Sequence, residues 1–255
     1  MSQIGPSVTT NRGTAIVTGG ASGLGASFAI GLGACGHDVA ILDLQGAEDV
    51  ATQIEALGAR VLHRVGDASN PDEVATFISH LSTSDLSPTR VLVNNAGISP
   101  YAPFAETDLQ TWHQVLRVNL DSLYLMTHMV LPSLLKHGAG RIVNISSSVV
   151  WDAQVRDMTA YATSKAAIVG FTRALAGEVG VSGVTVNAIA PGIVLTPDIQ
   201  GRVSNERLEI YRGRQSIPLI AEPDDIVGTL LYLIDEGTRL VTGATLPVNG
   251  GRVFL

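Results

Sequence analysis

The sequence predicts a single α/β domain built on a doubly wound parallel sheet of about seven strands, with helices on both faces. Seven short runs rich in β-branched residues alternate with longer helical runs along the 255-residue chain. The strand runs are continuously apolar, which is typical of parallel strands that are buried on both faces. Strands separated in this way by helices are typical of a sheet that helices cover on each side.

The predicted elements follow one another without a repeat or an obvious linker. The predicted strands are residues 14–18, 39–43, 60–65, 91–94, 141–146, 185–189 and 245–248. The predicted helices are residues 24–33, 47–57, 71–81, 109–136, 161–177 and 224–235. The last but one of these helices is rich in Ala, Leu, Lys and Arg, which are strong helix formers. Residues 1–11 are predicted to be an N-terminal tail, and residues 1–255 to form one domain.

Composition narrows the possible functions. The chain is 45% hydrophobic and 15% charged, which fits one large α/β core. Its net charge of −7 argues against a nucleic-acid partner. The one cysteine, Cys35, excludes an internal disulfide, so we expect a reducing cytoplasm. No apolar run is long enough for a membrane span, no signal peptide is indicated, and no metal ligands are assigned.

A glycine-rich turn, Thr18-Gly19-Gly20-Ala21-Ser22-Gly23-Leu24-Gly25, joins the first predicted strand to the first helix. Gly19 permits a tight turn, Gly23 lets a pyrophosphate approach the backbone, and Gly25 lets the helix pack close to the sheet. The N–H groups at the helix N-terminus would then bind the phosphates. Asp43 ends the second strand, where a carboxylate can accept a hydrogen bond from a ribose 2′-hydroxyl. A surface turn can also be glycine-rich, but the combination predicts a dinucleotide site.

A tyrosine and a lysine four residues apart, Tyr161 and Lys165, lie on one predicted helix. Residues i and i+4 share a helix face, so the phenol and the ammonium should lie side by side. At about 5 Å and an effective dielectric of about 20, the lysine favours the phenolate by roughly 3 kcal/mol. We therefore expect a Tyr161 pKa below the usual value, in a range where the phenol can exchange a proton with an alcohol or ketone. The pair alone also fits an ordinary half-exposed helix.

Further motifs follow the glycine turn, whose own spacing is Gly-x-x-x-Gly-x-Gly. In order they are Asn94-Asn95-Ala96-Gly97, Asn119, Ser146-Ser147-Ser148, Tyr161-x-x-x-Lys165 and Pro191-Gly192. With these motifs the chain resembles the short-chain dehydrogenase/reductase family over about residues 12 to 251. The resemblance implies a Rossmann-type sheet, a nicotinamide cofactor, an alcohol or ketone substrate, and a homotetramer or a homodimer.

The resemblance implies a catalytic role for four residues, namely Asn119, Ser147, Tyr161 and Lys165. Tyr161 would be the acid/base, and Lys165 would lower its pKa and hold the nicotinamide ribose. A serine would hydrogen-bond the substrate oxygen where charge develops. The Ile-Ser-Ser pattern selects Ser147, whereas counting back from the tyrosine selects Ser148, and we favour Ser147. Asn119 resembles the asparagine that kinks its helix and holds a water beside the lysine.

The cofactor contacts are also implied by the resemblance. They are Gly19, Ser22, Gly23, Leu24, Gly25, Asp43, Leu44, Asp67, Ala68, Asn94, Ala96, Gly97, Tyr161, Lys165, Pro191, Gly192, Ile193 and Thr196. Asp67 resembles an acid that contacts the adenine, although it also fits a turn residue or a helix cap. Asn94, Ala96 and Gly97 would line the adenosine side and brace the sheet. The Ile193 backbone and the Thr196 hydroxyl resemble contacts to the nicotinamide carboxamide.

NAD is predicted as the cofactor in preference to NADP. A carboxylate at Asp43 would repel a 2′-phosphate about 4 Å away by roughly 4 kcal/mol per unit of phosphate charge at an effective dielectric near 20. No arginine or lysine follows Asp43 closely, and Ser22 stands where relatives that prefer NADP often carry a basic residue.

Residues 197–222 resemble the variable lid over the substrate. Four arginines interspersed there, at positions 202, 207, 212 and 214, could receive an anionic substrate, but a solvated amphipathic helix is the more common explanation. The expected substrate contacts are Ser147, Ser148, Trp151, Met158 and Tyr161, and with Pro100 and Tyr101 they suggest a partly aromatic, apolar pocket. Residues 145–151 and 170–176 are similar to members that oxidise aryl or alicyclic secondary alcohols.

Three functions follow from these residues. The first is an NAD-dependent oxidoreductase that acts on a secondary alcohol or its ketone. The second is a 3-oxoacyl-thioester reductase, which would more often use NADPH and carry a basic patch. The third, from a different class, is a non-catalytic dinucleotide-binding sensor. Such proteins generally lose the tyrosine or the lysine, which this chain retains, so we favour the first.

Overall fold

The apolar β-branched runs form one sheet of seven strands, and every pair of neighbouring strands is parallel. The computed structural model describes residues 12–152 and 154–255. Its strands are β1 Thr14–Thr18, β2 Asp38–Asp43, β3 Val61–Val65, β4 Thr89–Asn94, β5 Arg141–Ile145, β6 Thr185–Pro191 and β7 Thr245–Val248. Their order in the sheet is β3-β2-β1-β4-β5-β6-β7. The predicted fold class is confirmed, whereas the predicted tail 1–11 lies outside the described residues.

The helices lie where the periodic runs predict them, with shifts of a few residues at their ends. They are α1 Gly23–Ala34, α2 Glu48–Ala56, α3 Pro71–Thr83, α4 Leu109–Leu116, α5 Ser122–His137, α6 Thr159–Val179, α7 Pro197–Arg202, α8 Asn205–Arg212 and α9 Asp224–Ile234. The run predicted as one helix over 109–136 is interrupted by a π-helical turn, Arg117–Asp121, between α4 and α5. The segment 197–222, whose arginines fit an amphipathic helix, contains two short helices, α7 and α8.

Helices cover both faces of the sheet. Alternate residues of β1 point to opposite sides, with Ala15 and Val17 in one core and Ile16 in the other. The first core includes Phe28 of α1 and residues of α2 and α9, and the second includes Met126 of α5 and residues of α3 and α6. All five residues of β1 are buried, as expected of a parallel strand that helices cover on both faces.

The sheet order creates a crevice at the carboxyl end of β1. The connection after β1 runs to β2 on one side of it, whereas the connection after its other neighbour, β4, runs to β5 in the opposite direction, so the two connections diverge between β1 and β4. In open parallel sheets a ligand binds outside the carboxyl ends of the strands at such a point. Among the described residues, no helix is long and apolar enough to cross a membrane.

Candidate active site

The glycine turn after β1 depends on the absence of side chains. Gly19 has a φ of +64°, a conformation that L side chains rarely adopt. A Cβ on Gly25 would lie 1.9 Å from the Gly19 carbonyl oxygen, so α1 can begin this close to the turn only with glycine there. The Asn95 side-chain amide donates to the carbonyl oxygens of Thr18 and Gly19 at 3.0 and 2.9 Å, which fixes the turn from the β4 side.

The N-terminus of α1 is open toward an anionic ligand. Ser22 stands at the N-cap, but its side chain makes no capping hydrogen bond, and the first turn carries no acidic residue. The first N–H groups of the helix therefore remain available to a phosphate, in the favourable direction of the helix dipole. A cavity of about 310 Å³ runs along this end of the sheet, and Ser22, Gly23 and Leu24 line it.

Asp43 lies on the same cavity at the end of β2. Its Oδ2 accepts a hydrogen bond from Ala21 N at 2.9 Å, and its Oδ1 accepts one from Gln45 N at 3.0 Å. The carboxylate is thus held against the glycine turn by backbone donors. Leu44 follows it, 68% exposed on the cavity wall. Open helix N–H groups and a fixed carboxylate one strand away fit the pyrophosphate and the ribose of a dinucleotide.

Asn94 is placed differently from the prediction. Its side-chain amide donates inside the core to Thr127 Oγ1 at 3.0 Å and to Asn144 Oδ1 at 2.9 Å. Its side chain braces the sheet as expected, but Asn94 does not line the cavity, and its neighbour Asn95 does. Side chains alternate between the faces of a strand, so the last residue of β4 still points into a helix layer. Ala96 and Gly97 line the cavity as predicted.

Asp67 and Ala68 line the same cavity as Asp43, but the Asp67 carboxylate already has protein partners. Its Oδ1 accepts from the backbone N and the hydroxyl of Ser69, at 2.8 and 2.7 Å. Its Oδ2 lies 3.2 Å from Arg117 Nη1. These bonds hold the pKa of Asp67 below its usual value, even though desolvation acts in the opposite direction. Asp67 therefore acts as a turn residue, one of the two alternatives to a cofactor contact, and its contact with the adenine stays a prediction.

The last residue of β6 and the segment after it bring four predicted residues to a second cavity, of about 360 Å³. Pro191, Gly192, Ile193 and Thr196 all line it. The Ile193 backbone N–H donates to the Tyr211 hydroxyl at 3.1 Å. The Thr196 hydroxyl accepts from Ile199 N at 3.4 Å as the N-cap of α7. Their contact with the nicotinamide carboxamide stays a prediction.

Tyr161 and Lys165 lie one turn apart on α6 and face this cavity together. Lys165 Nζ lies 5.6 Å from the centroid of the Tyr161 ring and donates to the Ile145 carbonyl oxygen at 2.7 Å. The Ser147 hydroxyl caps the turn after β5 by accepting from Val149 N at 3.3 Å, and it lies close enough to the Tyr161 phenol to lower the phenol pKa. The predicted side-by-side placement is confirmed.

The expected direction of the Tyr161 pKa is wrong. Burial raises the pKa of Tyr161 above its ordinary value, and the hydrogen bond from Ser147 opposes this only in part. Burial also lowers the pKa of Lys165, to about 8. The i and i+4 spacing gives the attraction between the two charged forms but not the cost of removing both from water, and this cost disfavours phenolate and ammonium alike.

We expect Lys165→Met to stabilise the fold at pH 7. Below about pH 8 the lysine is charged in both states, and its lowered pKa corresponds to a cost of about 3 kcal/mol. Loss of the bond to the Ile145 carbonyl offsets about 1 kcal/mol of the gain. Between pH 8 and 10.5 only the unfolded lysine holds its proton, so the stability of the parent rises with pH and the advantage of the variant shrinks.

Urea unfolding of parent and variant at pH 7 and at pH 10 measures this difference. The matched control is Lys136→Met, which makes the same change at an exposed lysine of α5. A Lys165→Met difference that does not change with pH would contradict the buried charge.

Asn119 lies within the π-helical turn and is buried. Its Nδ2 donates to the Ile98 carbonyl oxygen and to Ser164 Oγ, both at 2.9 Å, and its Oδ1 accepts from Ile98 N at 2.7 Å. The amide thus joins the segment after β4 to α6, and the helix is distorted where the resemblance implied a kink. A water beside the lysine stays a prediction.

The three serines after β5 have three different partners. Ser146 Oγ donates to the Lys165 carbonyl oxygen at 2.9 Å, whereas the Ser147 hydroxyl acts to lower the pKa of Tyr161 and the Ser148 hydroxyl acts to lower that of Tyr211. The geometry therefore favours Ser147 as the residue that touches the reacting oxygen.

We expect Ser147→Ala to lower kcat by about a hundredfold or more, as for loss of a donor to a developing oxyanion. Ser148→Ala, one residue away, should cost less than tenfold because its partner lies on the substrate wall. Steady-state kinetics of the two variants test the assignment, and the reverse ranking would move the role to Ser148.

Several cavity residues did not follow from the sequence. Met158 lines the cavity that Tyr161 and Lys165 face, called the catalytic cavity below, as predicted. Trp151 does not line it, because its loop turns Asp152 inward instead. Arg252 Nε lies 2.7 Å from Asp152 Oδ2 in a buried ion pair, and the Arg252 guanidinium covers the Tyr211 ring. The partners lie 100 residues apart, so no local pattern could indicate the pair.

Comparison with known proteins agrees with this geometry. The family model "short chain dehydrogenase" matches residues 13–207. The chain is 36% identical to a 3-oxoacyl-(acyl-carrier-protein) reductase of Pseudomonas aeruginosa, over 93% of this chain and 96% of that protein. It is 35% identical to a cis-4-hydroxycyclohexanecarboxylate dehydrogenase of Sinomonas cyclohexanicum, over 93% and 95%.

A solved relative from Beutenbergia cavernae superposes with a TM-score of 0.89 at 36% identity, over 96% of this chain and 98% of that one. It is described as a candidate NAD(P)-dependent gluconate 5-dehydrogenase with NADP bound at low occupancy. The dinucleotide crevice, the paired tyrosine and lysine, and these matches agree, and the chain belongs to the short-chain dehydrogenase family as an NAD(P)-dependent oxidoreductase that acts on CH–OH groups.

Proposed function

We propose that this protein transfers a hydride between NAD(H) and a secondary alcohol or its ketone, with Tyr161 as the acid/base. The observation that carries the proposal is the meeting of the Tyr161 phenol, the Ser147 hydroxyl and the Lys165 ammonium at one cavity. That cavity adjoins the dinucleotide crevice, since Leu24, Asn95 and Gly97 line both.

In this proposal each side chain has one task. The nicotinamide supplies the hydride acceptor or donor when it is bound. Tyr161 gives its proton to the carbonyl oxygen in reduction and takes the hydroxyl proton in oxidation. Its raised pKa keeps the phenol protonated at neutral pH, the form that donates. Ser147 holds the reacting oxygen, and Lys165 holds the nicotinamide ribose. Asn119 fixes the loop that lies beside them.

The dinucleotide would lie along the crevice, with its pyrophosphate at the N-terminus of α1 and its adenosine ribose at Asp43. NAD is the proposed cofactor because a fixed carboxylate accepts from a 2′-hydroxyl and repels a 2′-phosphate. The apolar part of the catalytic cavity, with Ile145, Val149, Val155 and Met158, suits an aryl or alicyclic skeleton. The segment 197–222, with α7 and α8, would be the lid.

A 3-oxoacyl-thioester reductase is the alternative, and the Pseudomonas aeruginosa relative carries that name at similar identity. A panel of secondary alcohols with NAD⁺, and of 3-oxoacyl thioesters with NADH and NADPH, separates the two through the absorbance of the reduced nicotinamide. NADH binding without turnover of any member would instead support the non-catalytic sensor. The homotetramer or homodimer and the cytoplasmic location stay predictions.

A further inference from the structure

The catalytic cavity is positive although the chain is acidic. Its ionisable lining comprises two carboxylates, Asp152 and Asp198, and four cations, which are Lys165, Arg207, Arg214 and Arg252. The cavity wall thus carries two surplus positive charges, whereas the whole chain has a net charge of −7. Such a local reversal attracts an anionic ligand to the cavity.

Three of the four lining cations have no carboxylate partner among the described residues, namely Lys165 and two arginines at the rim. Both acids of the lining are already paired, Asp152 with Arg252 and Asp198 with Arg202. In contrast, within residues 12–152 and 154–255, no carboxylate lies within ion-pair distance of Arg207 or Arg214.

Arg207 and Arg214 each contact a neutral side chain. The Arg207 guanidinium lies over the Tyr101 ring, 5.3 Å from its centroid, and Tyr101 itself lines the cavity. Arg214 Nη1 donates to Gln154 Oε1 at 2.5 Å. Stacking on a ring and a bond to an amide orient a guanidinium without neutralising its charge.

A solvated amphipathic helix does not account for this arrangement. On the same helix, α8, Arg212 lies outside the cavity lining and pairs with Glu209 at 3.0 Å, as a surface arginine commonly does. Arg207, five residues earlier, lines the cavity. One side of α8 therefore carries Arg212 in a surface ion pair, and another side carries Arg207 on the cavity wall.

We propose that Arg207 and Arg214 bind an anionic group of the substrate, a carboxylate or a phosphate, at the end remote from the reacting carbon. This inference rests on the proposed function, since it assumes that the reacting oxygen lies at Tyr161 and Ser147. The apolar residues between these two ends would hold the carbon skeleton. A guanidinium suits both anions because its planar donors match two oxygens at once.

The anion has two chemical sources, the carboxylate of a small hydroxy acid and the phosphates of a coenzyme A thioester. Two matched pairs separate them. The first is 4-hydroxycyclohexanecarboxylate and its methyl ester with NAD⁺. The second is acetoacetyl-coenzyme A and acetoacetyl-N-acetylcysteamine with NADH. The members of each pair share the reacting group. The first pair differs at the carboxylate, and the second differs in the phosphates together with the nucleotide and pantetheine that carry them, so the arginine variants are needed to assign its difference to charge.

We expect the charged member of at least one pair to have a kcat/KM at least about tenfold above its neutral partner. Arg207→Gln and Arg214→Gln should each reduce this ratio by about tenfold. Arg212→Gln removes the same charge from α8 outside the cavity and should leave the ratio unchanged. If the ratio of kcat/KM for the charged member to that for the neutral member is the same in all three variants, the assignment to the two rim arginines is overturned. A parent that does not prefer the charged member of either pair would overturn it as well.

A binding measurement separates this inference from the proposed function. Calorimetry of the NADH-loaded protein with cyclohexanecarboxylate and with cyclohexanecarboxamide needs no turnover. Tighter binding of the carboxylate that is lost in Arg207→Gln and Arg214→Gln supports the anion site, even if no alcohol is oxidised and the proposed function fails. Turnover of neutral alcohols without such a difference, and without a preference for acetoacetyl-coenzyme A over its neutral partner, overturns the anion site and leaves the proposed function in place.

Discussion

Tyr161→Phe is expected to lower kcat by about a thousandfold or more while leaving the affinity for NADH within about threefold of the parent. The phenol moves a proton only during the chemical step, and general acid–base catalysis contributes typically about 10² to 10⁴ in rate. Loss of a group that acts only in the transition state lowers kcat and kcat/KM together. Phenylalanine keeps the ring that faces Lys165 Nζ at 5.6 Å, so the lysine should keep its place.

Tyr211→Phe is the matched control for this variant. Its hydroxyl also reaches the catalytic cavity, but it bonds Ile193 N and Ser148, so its loss should cost less than tenfold in kcat. Steady-state kinetics and NADH fluorescence titrations on both variants make the comparison. If Tyr161→Phe keeps activity within tenfold of the parent, the acid/base role belongs to another group.

The elements that the sequence predicts well are those with a local signal. The continuous apolar strands, the periodic helices and the glycine turn each depend on neighbours a few residues away, and all of them form. The alternation of strands and helices also predicts that the sheet is parallel, because parallel strands must be joined by connections that cross a face of the sheet.

The remaining site residues depend on partners that are distant in the chain. Asn94 and Asn95 are identical in type, and only the face on which each emerges from β4 assigns one to the core and the other to the cavity. The ion pair between Asp152 and Arg252 gives no signal in either local sequence. Similarly, Arg207 and Arg212 differ in which side of a two-turn helix they occupy, which a short and weakly periodic segment does not reveal.

The direction of the Tyr161 pKa was not predicted for a different reason, which is energetic and does not depend on distant partners. A charge at a known spacing gives the Coulomb energy, but the desolvation cost depends on how deeply the pair is buried. Lys165 is 4% exposed, a degree of burial that the i and i+4 spacing does not predict. Proton transfer in either direction therefore depends on what the substrate and Ser147 add to the environment of the phenol.

A preference for NAD(H) over NADP(H) of at least about a hundredfold in kcat/KM is expected from Asp43. A hundredfold requires only about 2.7 kcal/mol. Repulsion between a carboxylate and a 2′-phosphate about 4 Å apart is roughly 4 kcal/mol per unit of charge at an effective dielectric near 20, before screening by salt. The bonds from Ala21 N and Gln45 N prevent the carboxylate from simply turning away.

Two substitutions at this position separate charge from structure. Asp43→Ala removes the carboxylate together with both acceptors that hold the turn. The kcat/KM with NAD should therefore fall and that with NADP should rise, so the ratio of the two should decrease. Asp43→Asn keeps the shape and one acceptor but removes the charge, so it should improve NADP with a smaller loss for NAD. Adding Leu44→Arg to either variant should reverse the preference, because Leu44 is exposed on the cavity wall and a guanidinium suits a phosphate. Initial rates with both cofactors for parent and variants measure the ratio. A parent that uses the two cofactors equally, or an unchanged ratio in Asp43→Asn, would mean that the carboxylate braces the glycine turn and does not contact the ribose.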